Sequence, residues 1–426
     1  MERNDPRYQA YVEILKEELI PAMGCTEPIA LAYAAAKARE VLGVLPDSVQ
    51  LQVSGSIIKN VKSVIVPNTG HLKGMEAAVA AGIIAGSAEK ELEVISEVSE
   101  EKKSAIRDYL QTVPITIEHT EQGHVFDIVV TERCGQDYAR VRIADYHTNI
   151  CRIEKNGTVL YEVPLLDETV QEDARADRSL LNMQDIWDFA ETADLRDVAD
   201  LLERQIRYNN AIAEEGLLGD YGANIGRVLL TTYGNDVSNR AKAKAAAGSD
   251  ARMNGCELPV IINSGSGNQG LTCSVPLIEY AKELHSGKEK LYRALIISNL
   301  VAIHEKTGIG TLSAYCGAVS AGAGAGAGIV YLCGDGYQAA IHTVVNALAI
   351  VSGIVCDGAK ASCAAKIASS VDAALLGYNM YKCNQEFKGG DGIVMKDIET
   401  TIKGIGRLGK DGMRQTNEEI IRLMMS

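Results

Sequence analysis

At 426 residues the chain can form two or three domains, and 46% hydrophobic with 23% charged residues is the balance of a soluble globular protein. Its formal charge of −14, with no polybasic tail, excludes a nucleic-acid partner, because phosphate binding needs a basic surface. Aromatics make up only 5% and Gly numbers 40, which favours tightly packed small-residue helices over an aromatic-rich sandwich.

The opening Met1-Glu-Arg-Asn-Asp-Pro6 is charged and is not a secretory leader, so a cytoplasmic protein is expected. That compartment keeps thiols reduced, and the ten cysteines read mostly as core thiols, with three or four as ligands. Helical spacing over Tyr8 to Leu19 ends at Pro21. A second helix is predicted from about Ile29 to Leu42, with Thr26 as N-cap and Pro28 just inside. Cys25 then sits at a helix N-terminus, where dipole and free amides favour the thiolate. Alternation predicts strands at Val49–Val53, Val61–Val66, Val113–Ile117, His124–Val130, Tyr138–Ile143 and Thr158–Val163, with an Ala-rich helix from Gly74 to Ala88.

The expected fold class is therefore α+β: a large, mainly helical domain (residues 1–46 and 179–426) with an inserted α+β subdomain carrying a mixed sheet (47–165). An acidic linker is placed at 166–178. After Ser179 the pattern is helical nearly to the end. The apolar run from Gly317 to Cys356 is interrupted by Asp335 and His342 and is weakly hydrophobic, so a buried helical pair is expected there and no membrane span. Small-residue helix faces also raise the possibility of a homodimer.

Two constellations point to chemistry. Asn263-Ser-Gly-Ser-Gly-Asn-Gln-Gly270 follows a strand-like run and lacks P-loop or Rossmann spacing. Its amides and hydroxyls suit an anion, most naturally a substrate carboxylate, with a plain glycine turn as the alternative. The second is Cys316, Cys356 and Cys363, around the small-residue stretch Ser313 to Gly328. Zinc would show two close C-x₂-C pairs, which are absent, whereas a [4Fe–4S] cluster tolerates irregular spacing. By spacing alone, three buried thiols are the favoured reading. Cys134, Cys151, Cys256, Cys333 and Cys383 are assigned as structural thiols. His71, between a strand and a helix, lines a cleft or merely caps.

Cys316-Gly-Ala-Val-Ser-Ala-Gly, Gly353-Ile-Val-Cys356-Asp-Gly and Cys363 resemble the cluster-binding end of iron–sulfur L-serine dehydratase alpha chains. Gly24-Cys25-Thr26-Glu27-Pro28 and Ser264-Gly-Ser-Gly-Asn-Gln-Gly270 resemble still more closely the related L-cysteine desulfidase family, over nearly the whole chain. The resemblance implies a [4Fe–4S] cluster held by Cys316, Cys356 and Cys363, and conversion of L-cysteine to pyruvate, ammonia and sulfide. It implies Cys25 as catalytic residue or fourth ligand, and Thr26, Glu27, Ser264, Ser266, Asn268 and Gln269 around the substrate. The dehydratases carry a cysteine near the C-terminus; this sequence ends Leu423-Met-Met-Ser426 without one, which makes Cys25 the natural fourth ligand.

Three iron ligands leave one iron of the cube open to act as a Lewis acid toward a thiolate. Other candidate bases are His304 with Glu305, and Lys360. Three rival readings stand beside this one: dehydration of L-serine or a related β-substituted amino acid, a pyridoxal-phosphate β-eliminase with Lys59 as Schiff-base lysine, and a non-enzymatic amino-acid or redox sensor.

Overall fold

In the computed structural model, residues 1–120, 124–165, 175–310 and 312–425 are described. The class is α+β with a large helical part. Most of the expected linker at 166–178 lies outside the described residues.

Helix α1 (Pro6–Glu18) is capped by Asp5, whose carboxylate accepts from the Arg7 amide, with Pro6 at the first helical position. A short strand β1 (Pro21–Met23) leads to α2 (Thr26–Leu42). The N-cap is Cys25 itself rather than Thr26, and no side chain caps there. The mixed sheet has the order β3-β2-β4-β5-β6-β7, from strands β2 (Ser48–Ser54), β3 (Ile115–Thr120), β4 (Asp127–Cys134), β5 (Asp137–Ala144), β6 (Ile150–Lys155) and β7 (Thr158–Glu162). Only β2 and β3 run parallel, joined by a crossover through α3 (Gly55–Val61), α4 (Gly74–Ala85) and α5 (Glu100–Thr112).

The strand expected at Val61–Val66 does not form. Both edges of β2 are taken by β3 and β4, which leaves this segment no ladder beyond a single bridge, Ile65 to Lys73. The expected boundary at 46/47 places α2 with the helical part, yet α2 packs on α4, β4 and β5 and covers the sheet. Beneath it Glu132 on β4 is fully buried with both carboxylate oxygens unpartnered, and burial raises its pKa well above the usual range, with Arg39 opposing. A raised folded pKa gives stability that is present below the ordinary carboxylate pKa and is lost as pH rises toward the folded value. Glu132→Gln is therefore expected to be more stable than wild type at pH 7 by about 1–3 kcal/mol and equal to it near pH 4, in urea unfolding at the two pH values.

The helical part comprises α6 (Met183–Thr192), α7 (Ala199–Leu218), α8 (Ile225–Tyr233), α9 (Val237–Met253), α10 (Gly267–Glu283), α11 (Lys288–Ile309), α12 (Gly317–Cys333), α13 (Tyr337–Val351), α14 (Cys363–Lys382), α15 (Ile398–Arg407) and α16 (Arg414–Met425). The hub is α12, the Gly/Ala helix, which packs against α10, α11, α13 and α14 together. Its glycines make that possible: a Cβ on Gly324 would lie 2.4 Å from the Ser298 carbonyl oxygen on α11, and one on Gly322 would lie 2.8 Å from Ser370 on α14. Among the described residues no helix is long and apolar enough to cross a membrane.

Candidate active site

Two short pairings bring distant segments together. Strand β1 pairs antiparallel with β8 (Pro259–Ile261), Pro21 opposite Ile261, so the Cys25 turn and the Ser264 loop leave the same ladder side by side. Buried Asn209 holds β8, accepting from the Ile261 amide at 2.8 Å and donating to the Ile261 carbonyl at 3.1 Å. A single antiparallel bridge, Tyr315 to Val355, does the same for the cysteines: the Cys316 amide donates to Ile354 and the Cys356 amide to Ala314. Cys363 opens α14 a few residues later, its thiol 3.6 Å from the Gly358 carbonyl oxygen.

The glycine-rich loop is shorter than expected. Asn263 and Ser266 bond each other's backbone across Ser264 and Gly265, both at positive φ (48° and 75°), a tight two-residue turn. Gly267 to Gly270 are already the first turn of α10. Thr26 ties the turn to α2, its hydroxyl donating to the Gly265 carbonyl at 3.0 Å.

These pieces enclose a cavity of about 950 Å³ on which every residue expected at the site opens: Cys25, Thr26, Glu27, Ser264, Ser266, Asn268, Gln269, Cys316, Cys356 and Cys363. The N-termini of α2, α10, α12 and α14 all lie at its wall, and their free amides and dipoles favour anions there. Asn268 and Gln269 each leave a buried side-chain oxygen without a partner. The Cys25 thiol lies 3.6 Å from the Met253 sulfur, which the Asn268 amide also approaches, at 3.7 Å.

Cys25 does not carry the lowered pKa expected of a helix N-terminus. Burial wins over the dipole and pushes its thiol up to about 12, with Arg252 opposing and Glu27 and Cys363 adding to the rise. Cys316 is likewise pushed up to about 12 by burial and by Cys356 and Cys363, so the three thiols feel one another's charge. Among the described residues no three His, Cys, Asp or Glu side chains close on a point that would hold one metal ion. Three thiols standing around a void suit a polynuclear group instead, since each ligand of an iron–sulfur cube binds a different iron. The donor set thus fits a [4Fe–4S] cluster.

Other candidates fall elsewhere. On α11 the cavity is lined by Ile303, Lys306, Thr307 and the following Gly310, so His304 and Glu305 face away. His304 bonds Glu399 at 2.8 Å, and Glu305 is buried in the helical core. Lys360 is held by Asp357 and by the carbonyls of Asp357 and Gly358. Lys59 donates to the Leu312 carbonyl and to Asn417, and it is not a lining residue, so the Schiff-base role has no support. His71 is exposed in its loop. Of the thiols assigned as structural, Cys333 and Cys383 are exposed and Cys151 lines the cavity; all ten cysteines are free.

Three lining residues were missed. Lys306 has its amine drawn down to about 8 by burial, against the nearby Cys356 and Cys316, which favour its charge. The 303/306/307/310 helical stripe would have found it. His147, from the β5–β6 connection, stands with Nε2 3.9 Å from Glu27 Oε1, an ion-pair rather than a hydrogen-bond separation, and Phe126 packs edge-on against its ring. Glu27 is held below the usual carboxylate range: burial alone would raise it, but His147, its own backbone amide and Arg252 together lower it. Arg252 is the third. No sequence pattern marks His147 or Arg252, since each reaches the site only through tertiary packing.

The serine dehydratase alpha chain family matches this sequence over residues 89–422. The chain belongs to that family. It is 61% identical to a UPF0597 protein of Desulfitobacterium hafniense over all of this chain and 99% of the relative. It is 52% identical to one of Lachnoclostridium phytofermentans (98% and 100% covered) and 47% identical to one of Treponema denticola (100% of both). Membership points to an enzyme of the dehydratase-like lyase type, and the family designation of these relatives names no substrate.

Proposed function

We propose that the protein is a [4Fe–4S]-dependent carbon–sulfur lyase that converts L-cysteine and water to pyruvate, ammonia and hydrogen sulfide. The observation that carries this reading is the convergence of Cys316, Cys356 and Cys363, from three segments, on one cavity that Cys25 faces from a fourth. Those three thiols would hold the cluster. When bound, it supplies a thiophilic Lewis acid for the departing sulfur.

The protein's own groups do the rest. Glu27, ionised, accepts the substrate ammonium together with the partnerless oxygens of Asn268 and Gln269, and the free backbone amides at the α10 N-terminus orient the carboxylate and stabilise negative charge as the α-proton leaves. Lys306, its amine drawn down by burial, is the wall group able to take that proton, and the protonated Cys25 thiol is the one able to deliver a proton to the aminoacrylate carbon. The Cβ–S bond breaks with its electron pair on sulfur, and the aminoacrylate left behind tautomerises to an imine that water hydrolyses to pyruvate and ammonia. His147, over the Ser264–Gly265 turn, helps close the site against water.

Dehydration of L-serine is the second reading, favoured by the family's description, and would use the same residues. Anaerobically reconstituted protein is expected to release sulfide and pyruvate one to one from L-cysteine, with a higher kcat/KM than for L-serine. A preference for L-serine would put the second reading first. No turnover of either by cluster-loaded protein would remove the lyase and leave the sensor.

A further inference from the structure

Among the described residues of the cavity wall, Arg252 is a buried cation with no contact partner. It lies at the end of α9, is only 3% exposed, and lines the cavity. Its guanidinium makes no hydrogen bond and no ion pair at contact distance with any described residue, and its buried Nε has no partner; Glu27 feels its charge only from beyond that distance. Burying a cation without a contact partner is costly, as breaking a buried pair is. The fold nevertheless makes room for it. A Cβ on Gly267 would lie 2.3 Å from Nε and 2.7 Å from Cζ, so the guanidinium rests directly on the backbone at the start of α10. There the planar cation and the free amides of a 17-residue helix favour the same ligand. The partnerless oxygens of Asn268 and Gln269 on that first turn are acceptors, suited to the ammonium end of an amino-acid ligand and not to its carboxylate.

We infer that Arg252 is the anchor for the substrate's α-carboxylate, which supplies the missing counter-charge by a forked, two-bond contact at the α10 N-terminus. With Glu27 across the same wall, the cavity then reads both charges of an α-amino acid: carboxylate on Arg252, ammonium on Glu27. This rests on the amino-acid lyase reading for the ammonium end, but the carboxylate end stands on the orphaned guanidinium alone.

The test uses the full chain, reconstituted without oxygen, and three small ligands followed by calorimetry. L-Alanine has both charged groups and no β-leaving group, so it binds without being consumed; propionate keeps only the carboxylate; ethylamine keeps only the ammonium. Arg252→Gln is expected to weaken L-alanine binding about 30-fold or more, as loss of one partner of a buried charge pair does, and Arg252→Lys to weaken it less. Ethylamine binding should not change. Ligand-free Arg252→Gln should melt at or above the wild-type temperature, because it removes an unpaired buried charge. A purely structural arginine would instead lower the melting temperature. L-Alanine binding untouched by Arg252→Gln, or a lowered melting temperature in ligand-free Arg252→Lys and Arg252→Gln alike, overturns the anchor. Arg252-dependent binding of propionate with no binding of L-alanine keeps the anchor and removes the amino-acid lyase reading. Binding of none of the three by wild type overturns both.

Discussion

Cys316→Ala is expected to abolish sulfide release from L-cysteine and to remove iron and acid-labile sulfide from anaerobically reconstituted protein. Cys25→Ala is expected to keep both while kcat falls by about 10²–10⁴, the usual worth of a positioned proton-transfer group. The contrast follows from the architecture. Cys316, Cys356 and Cys363 stand at helix starts or on the bridge beside Ile354, and each is partly buried on the cavity wall. Cys25 approaches from the β1–β8 ladder on the other side and is only 1% exposed. Iron and sulfide analysis decides both roles at once. A Cys316→Ala protein with full iron content would end the ligand assignment. Iron loss in Cys25→Ala would make Cys25 the fourth ligand rather than a proton carrier.

Gly324→Ala is expected to destabilise the protein by about 3 kcal/mol, at the upper end for overpacking, while the same change at Gly404 stabilises it by about 0.5–1 kcal/mol. Intrinsic helix propensity favours alanine equally at both positions. The difference is space. The new methyl at 324 would sit 2.4 Å from a backbone oxygen of α11, which cannot move without shifting that helix, whereas at 404 its nearest neighbours are Met395 side-chain atoms at 3.7 Å. Displacing α12 would also disturb Cys316 at its N-terminus, so the Gly324 variant should lose cluster occupancy alongside stability. Chemical unfolding of the two variants tests the sign. Destabilisation of both would mean that the small-residue run is not what sets the helix spacing.

Much of this was legible along the chain. The apolar periodicity of α1, the alternation of β2, β4 and β5, and the helical run after Ser179 are local patterns; α1 and those strands formed within a few residues of their expected limits, and the helical run formed with other boundaries. Helix α5 and strand β6 were not legible: α5 is charged with only Ile106 and Tyr109 buried, and β6 has the weak pattern of a strand near a sheet edge. Within the site, the Gly24–Pro28 and Ser264–Gly270 motifs and the spaced cysteines were visible because glycine, proline and cysteine in tight sequence clusters carry backbone and ligand chemistry that few other residues supply.

The sequence by itself determined the α+β class, the small-residue helix hub and the set of residue types that meet at the cavity. Tertiary structure alone decided their states and their partners. Cys25 is a protonated thiol because burial outweighs a helix dipole, and dipoles can be read from a sequence while burial cannot. His147 and Arg252 enter the site across the β5–β6 connection and the end of α9, and His304 leaves it because two residues of helix, about 200°, separate it from Lys306. Such placements depend on which face of an element meets which neighbour, and that is set only when the whole core closes.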